Sequence, residues 1–267
     1  MTHPSAIEQA VYASPVCPAV TLRTTRRSTR PYALHFHESL SLGVVFDGET
    51  RLSLHGEQRI LRKGDMVLLA PLETHGCNPL AGGFRSYHMF YVGMERVGPL
   101  VGCPARGSVS VVRRVIRDRR LFAAVMKLAD AVAVGTACLR EDAVLERIIR
   151  DHCVPAACEA GGGFAGIMNP APAEPAAPLA RAAKAMGIGR EWLIRSFYRE
   201  KGITPGGYRQ CLRLAQATRM LAAGADIART AAACGYADQS HLHRMCVKYL
   251  SATPRQLKPA GSLSYKK

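Results

Sequence analysis

Three histidines stand out as residues able to do chemistry: His35 and His37, two positions apart, and His75, with carboxylates nearby at Glu38 and Glu73. Imidazole nitrogens and carboxylate oxygens are ligands for iron, manganese or zinc, so this set can hold a divalent metal. The same side chains can instead hydrogen-bond an organic molecule, or simply brace a fold. On a strand, residues i and i+2 share a face, so His35 and His37 can point into one cavity, which His75 can join. If that cavity takes an organic ligand, Arg51, Tyr87 and His88 add polar handles.

A second chemistry lies in the charge. The chain of 267 residues carries a formal net charge of +16, and most of it sits at one end. Residues 179–267 hold 16 Lys and Arg against 4 Asp and Glu, whereas residues 1–178 hold 20 against 16. A basic third of this kind suits a polyanion, because each neutralised phosphate releases condensed counterions. Nucleic acid is the partner that fits best, although a well-solvated surface can carry the same charge.

Other classes are disfavoured. No stretch approaches the roughly 20 apolar residues of a membrane helix, and residues 1–18 lack the basic start and apolar core of a secretory signal. The expectation is a cytoplasmic protein with no membrane partner. The nine cysteines form no CxxC pair and no zinc-type spacing. They read as reduced core or surface thiols, with Cys153 and Cys158 the one candidate redox pair.

The elements that must position these residues follow from periodicity. Over residues 40–92 apolar side chains alternate: Leu40, Leu42, Val44 and Phe46, then Asp47-Gly48, then Leu52 and Leu54. Asp-Gly between two alternating runs reads as a hairpin turn. Further short runs at 58–62, 66–70 and 85–92 make a β-barrel or sandwich. Leu121, Val125, Leu128 and Val132 switch to helical spacing, as do Val144, Leu145, Ile148 and Ile149. These two helices can dimerise or pack on their own barrel. Residues 155–178, rich in Ala, Gly and Pro, read as a linker. The domain plan is therefore 1–110, 111–154, 155–178 and 179–260, with Arg23, Arg26, Arg27 and Arg30 on an N-terminal arm.

Beyond the linker the sequence repeats. Ala183-x3-Gly187, Leu193-x-Arg195-x-Phe197-x-Arg199 and Thr204-Pro205 recur as Ala231-x3-Gly235, Leu242-x-Arg244-x-Cys246-x-Lys248 and Thr253-Pro254. The Ala allows two helices to cross closely, the Gly ends the first helix in a left-handed conformation, and the Leu closes a small core: a helix-turn-helix, twice. The second copy has one extra residue in its turn. Helices are expected from Pro178 to Met186, Arg190 to Lys201, Asp226 to Cys234 and Asp238 to Tyr249. A long helix over 205–223 joins the copies, about 27 Å of spacer that can set two recognition helices in successive major grooves. Leu193, Phe197, Leu242 and Trp192 are expected in the core.

The segments GREWLIRSFYREKGITPGGYRQCLRLAQATRMLAAG and DIARTAAACGYADQSHLHRMCVKYLSATPRQLK resemble the AraC family of transcriptional regulators, above all in Gly235-Tyr236-Ala237-Asp238-Gln239-Ser240-His241-Leu242. The stretch from Pro31 to Leu80, with Gly64-Asp65, Pro71 and His75, resembles that family's cupin-like barrel. The resemblance implies an α+β protein: a cupin-like effector-binding barrel, two following helices and an all-α double helix-turn-helix domain. It implies sequence-specific binding of double-stranded DNA through Arg190, Glu191, Ile194, Arg195, Gln239, Ser240, His241, His243 and Arg244. It implies a small-molecule effector held by His35, His37, Glu38, Glu73, His75, Tyr87 and His88, with no metal or cofactor and no catalysis; His35, His37 and His75 are the ligands if a metal is held. It further implies a homodimer, contact with RNA polymerase as an activator, and an arm that closes over the pocket. Cys246 departs from the family by replacing an aromatic residue. Two rivals stand beside this reading: a metal-dependent cupin enzyme with a DNA-binding tail, and a nonspecific architectural DNA protein.

Overall fold

A computed structural model describes residues 8–104, 107–156 and 179–258. Cys158 and nearly all of the expected linker lie outside the described residues. The N-terminal half is built from strands β1 (Glu8–Ala13), β2 (Val20–Ser28), β3 (Leu40–Leu54), β4 (Glu57–Arg62), β5 (Met66–Leu69), β6 (His75–Pro79) and β7 (Arg85–Val92). Helix α1 (Met94–Val101), strands β8 (Val109–Val111) and β9 (Val115–Ile116), helices α2 (Arg119–Val134) and α3 (Leu139–His152) and strand β10 (Cys153–Pro155) follow. The main sheet is antiparallel, in the order β1-β2-β7-β3-β5-β9, with β4 and β6 paired to the far half of β3. The fold is the expected α+β, an antiparallel sheet followed by helices.

The Asp47-Gly48 hairpin does not form. The two alternating runs are one strand, β3, whose register slips between Val45 and Asp47. Gly48 sits at that bulge with φ +71°, where a Cβ would meet the Phe84 carbonyl oxygen at 2.2 Å. The bulge bends β3 so that residues 41–44 pair with β5 and residues 49–54 with β4 and β6. The chain reverses instead at His55-Gly56, with φ +50° and +79°, the left-handed pair that a two-residue hairpin turn requires.

The expected arm is also different. Arg23, Arg26 and Arg27 stand on β2, which β1 and β7 flank; Arg23 is buried on one face of the strand, and Val20, Leu22 and Thr24 bury the other. That face joins Phe90, Val92, Leu40, Leu42 and Val44 against α2 and α3, where Val125, Leu128, Ala129 and Val132 are buried. Helix α2 therefore covers its own sheet, while α3 packs on α1, α2 and β10 within the same buried cluster. Asp118 caps α2 by accepting from the Arg120 and Leu121 amides at 2.8 and 3.0 Å.

The C-terminal half follows the repeat closely: α4 (Leu179–Ala185), α5 (Arg190–Lys201), α6 (Pro205–Ala222), α7 (Ile227–Ala233), α8 (Gln239–Leu250) and a 3₁₀ turn, Pro254–Leu257. Gly187 and Gly235 are left-handed at φ +67° and +72°, and Ala183 and Ala231 are buried where the helices cross. The paired Thr-Pro sites have a common physical role: Thr204 caps α6 through Gly207 N–H, and Thr253 caps the 3₁₀ turn through Gln256 N–H, each at 3.2 Å with proline in the first turn. Leu193, Phe197 and Leu242 are buried, and Cys246 takes the core place of the missing aromatic. Trp192 departs from expectation. It lies on the outer face of α5 and is 48% exposed.

Candidate functional site

Two regions concentrate functional side chains. The first is the outer surface of the helix-turn-helix half. Helix α5 exposes Arg190, Glu191 and Arg195, with Ile194 half-buried beside them. Helix α8 exposes Gln239, Ser240, His243 and Arg244. Those four line a single groove together with Ile227 and Arg255. Arg255 escaped the sequence reading, although it stands directly after the second Thr-Pro in a basic, capped turn. His241 is less available: its ring accepts from the Ala237 amide at 3.4 Å and meets Tyr236 edge-on at 5.3 Å, so it braces the turn before α8. Arg190 pairs with Glu191 at 3.7 Å.

The second region is the inner face of the sheet. His35, His37 and His75 come together there, with ring centroids 4.7–5.2 Å apart. Their candidate ligand atoms all lie within 4.8 Å of one another. The Nδ1 of His35 donates to the Ala33 carbonyl at 3.0 Å and that of His75 to the Glu73 carbonyl at 2.8 Å, which leaves Nε2 as the acceptor of each neutral ring. Burial drives all three histidines below their usual pKa, and their mutual repulsion lowers His35 and His37 further.

Other expected members point elsewhere. Glu73 accepts from Arg114, from His55 at 2.8 Å and from the Ala70 amide at 3.0 Å; its own burial opposes ionisation, but these bonds outweigh it and lower its pKa. Glu38 pairs with Arg219 of α6. His88 lies on the opposite face of β7, bonded to Thr24 at 2.9 Å and stacked on Phe46, where burial pushes its pKa down to about 4. Arg51 is exposed. Three imidazoles thus fit a metal, but among the described residues no carboxylate joins them.

Tyr87 does belong to the inner face, and it brings residues that sequence reasoning missed. The guanidinium carbons of Arg23 and Arg85 lie 6.0 and 5.7 Å from its ring. Arg85 also lies 4.8 Å over Tyr32, which touches His35, while Tyr91 touches His37. Burial works against ionisation of Tyr87, yet the two arginines outweigh it and lower its pKa. The alternation Arg85-x-Tyr87-x-Met89-x-Tyr91 was the available signal.

One segment separates the two regions. Along residues 33–38 the side chains alternate: His35 and His37 face the inner cluster, while Phe36 packs into Phe197, Ile203, Tyr208 and Cys211 of the helical half. Glu38 reaches α6 on the same side as Phe36. The Ala33 amide donates to the Lys248 carbonyl at 2.9 Å, and Arg23 Nη2 donates to the Leu250 carbonyl. These are carbonyls of the last turn of α8, which a helix leaves without internal partners. The end of a candidate recognition helix is therefore held by the sheet that carries the histidine cluster.

Comparison with known proteins agrees with this geometry. Residues 18–146 match the AraC-like ligand binding domain, and residues 182–259 match a helix-turn-helix domain. The chain belongs to the AraC family of transcriptional regulators. A relative from Bacillus subtilis (strain 168), the uncharacterised HTH-type transcriptional regulator YbfI, is 26% identical over 223 residues, 78% of this chain and 80% of its own. ToxT from Vibrio cholerae O395 has the same fold, with a TM-score of 0.54 at 9% identity over 94% of this chain and 96% of its own. Its unsaturated fatty acid-bound form from strain SCE256 also scores 0.54, at 10% identity over 95% of each chain. The regulator is thus a DNA-binding transcription factor with an N-terminal ligand-binding domain rather than an enzyme. Among the described residues, no helix is long and apolar enough to cross a membrane.

Proposed function

We propose that the inner cluster around His35, His37, His75 and Tyr87 is the effector site, and that its occupancy is passed to the DNA-binding half through residues 33–38. The alternation of that segment carries the reading, since one face touches the cluster and the other is packed against α5 and α6. A ligand that shifts His35 or His37 must move Phe36 against a close-packed partner, and packed interfaces pass small shifts on rather than absorb them. Arg190, Ile194, Arg195, Gln239, Ser240, His243 and Arg244, joined by Arg255, form the DNA-contacting surface, with Glu191 and His241 supporting it. Sequence is read by base-edge contacts, and arginines at helix starts are suited to them or to phosphate.

The finer partners belong to the same proposal: a cytoplasmic protein that forms homodimers and touches RNA polymerase. Exposure of Val134 and Leu139 at the α2–α3 corner, 72% and 74%, supports a partner there. The test is a mobility-shift titration on the gene's own upstream region, with specific and random competitor duplexes. Specific retention that Arg244→Ala weakens supports the reading; equal affinity for every duplex, with a steep salt slope, would leave only an architectural protein.

A further inference from the structure

Two cationic side chains lie inside the sheet without an anionic partner. Arg85 is fully buried; its Nη2 donates to the Arg30 carbonyl at 3.0 Å, while Nε and Nη1 have no partner. Arg23 is 4% exposed; its Nη2 serves Gln9 and Leu250, and its Nε has no partner. Among the described residues, neither forms an ion pair with a carboxylate. Burying an uncompensated charge is costly, and burying unsatisfied guanidinium donors adds to that cost. The neighbours that face the pair are phenols and neutral imidazoles: Tyr32, Tyr87 and Tyr91, then His35 and His37. A fold that keeps two such charges turned toward a cluster of hydrogen-bonding rings has the construction of an anion receptor.

We propose that the effector is a small organic carboxylate, whose carboxyl group is held by Arg85 and Arg23 and whose body lies against Tyr32, Tyr87, Tyr91 and the histidine cluster. The proposal rests on the reading of this interior as the effector site and names its ligand class. A carboxylate matches the free guanidinium donors through charge-assisted hydrogen bonds, and the phenols can donate to its second oxygen. The same positive field, which also opposes protonation of His35, opposes a divalent cation on the three imidazoles. The arginines thus favour an anion over a metal at this place. Arg23 gives the ligand a route outward, because the guanidinium that would turn to the carboxylate also donates to Leu250 at the end of α8.

The experiment is thermal unfolding of the full chain with a panel of straight-chain and aromatic monocarboxylates, each beside its neutral amide, and with inorganic phosphate. We expect saturable stabilisation by at least one carboxylate at millimolar concentration, as ligand binding to the native state requires, and none by its amide. Arg85→Met should weaken that binding about tenfold or more, the worth of a charge-assisted hydrogen bond. It should also unfold no earlier than the parent protein without acid, since it removes an uncompensated buried charge; a purely structural arginine would give early unfolding. Arg85→Gln keeps a donor for Arg30 and removes the charge, and serves should Arg85→Met not fold. The proposal is overturned if no acid in the panel stabilises, if amides match acids, if phosphate binds in their place, or if the neutral variants bind the acid unchanged. DNA binding measured without any acid is independent of these outcomes, so the failure of this inference is separable from failure of the regulator reading.

Discussion

Replacing Phe36 with alanine tests whether the sensing half and the DNA-binding half are energetically one structure. Phe36 is 3% exposed and its ring centroid lies 4.8 Å from that of Tyr208, at an interplanar angle of 45°. Tyr208 in turn meets Phe197 edge-on at 5.3 Å. Truncating a buried phenylalanine costs about 3–5 kcal/mol, because transfer and cavity contributions add. Here the cavity opens between the two halves, so the loss should appear in the stability of the half that was not mutated. Trp192 is the single tryptophan and lies on α5, so its fluorescence follows unfolding of the helical half. In urea, Phe36→Ala should move the Trp192-reported midpoint downward although the mutation is in the other half. Tyr208→Ala should do the same. An aromatic pair contributes about 0.5–1.5 kcal/mol beyond burial, so the double variant should cost less than the sum of the single ones by about 1 kcal/mol. A Trp192 transition indifferent to Phe36→Ala, or single effects that add to within about 0.5 kcal/mol, would refute the coupling.

Further outcomes follow from other particulars. His35 and His37 have native pKa values held low by burial, so below about pH 6.5 the unfolded chain binds protons that the native one does not. Their contribution is present above that pH and is lost on acidification, about 1.4 kcal/mol per histidine by pH 5.5; a flat urea stability profile between pH 7.5 and 5.5, on the order of that range, would contradict the burial of the cluster. Arg195→Ala and Arg244→Ala should each weaken specific DNA binding by about 1–3 kcal/mol at fixed salt, with a reduced salt slope where the lost contact was a phosphate. Unchanged anisotropy titrations would remove either residue from the interface. Gly48→Ala should destabilise the sheet by more than about 2 kcal/mol, since a left-handed backbone and a carbonyl collision combine. Gly56→Ala, equally left-handed but with open space around it, should cost only about 1 kcal/mol. Equal chemical-denaturation midpoints for the two variants would show that the bulge is not sterically tight.

The helical half was legible because its determinants are local. Gly187 and Gly235 stop helices, Thr204, Asp226, Thr253 and Asp238 cap the next elements, and each of these signals acts within a turn of its own residue. The repeat then carried the arrangement, because two copies of one pattern require two copies of one packing. Trp192 was misplaced since an aromatic next to a core leucine gives no indication of which side of a helix it occupies.

The sheet was harder to read, for a physical reason. Alternation assigns partners to a face but not to a direction, and a one-residue slip turns every later side chain over. The bulge at Gly48 makes such a slip within β3, so Asp-Gly marks a bend in a continuous strand rather than a reversal. His88 and Tyr87 were equally plausible from sequence; pairing with β2 and β3 sends them to opposite faces. The composition, the doubled helix-turn-helix and the shared face of His35 and His37 were legible in the sequence alone, whereas His75 was only one residue able to join them until pairing with His35 brought it there. The exclusion of Glu38 and Glu73, the burial of Arg23 and Arg85 without counter-ions, and the seam along residues 33–38 were decided only by tertiary structure, because each depends on contacts between residues far apart in the chain whose register no local signal encodes.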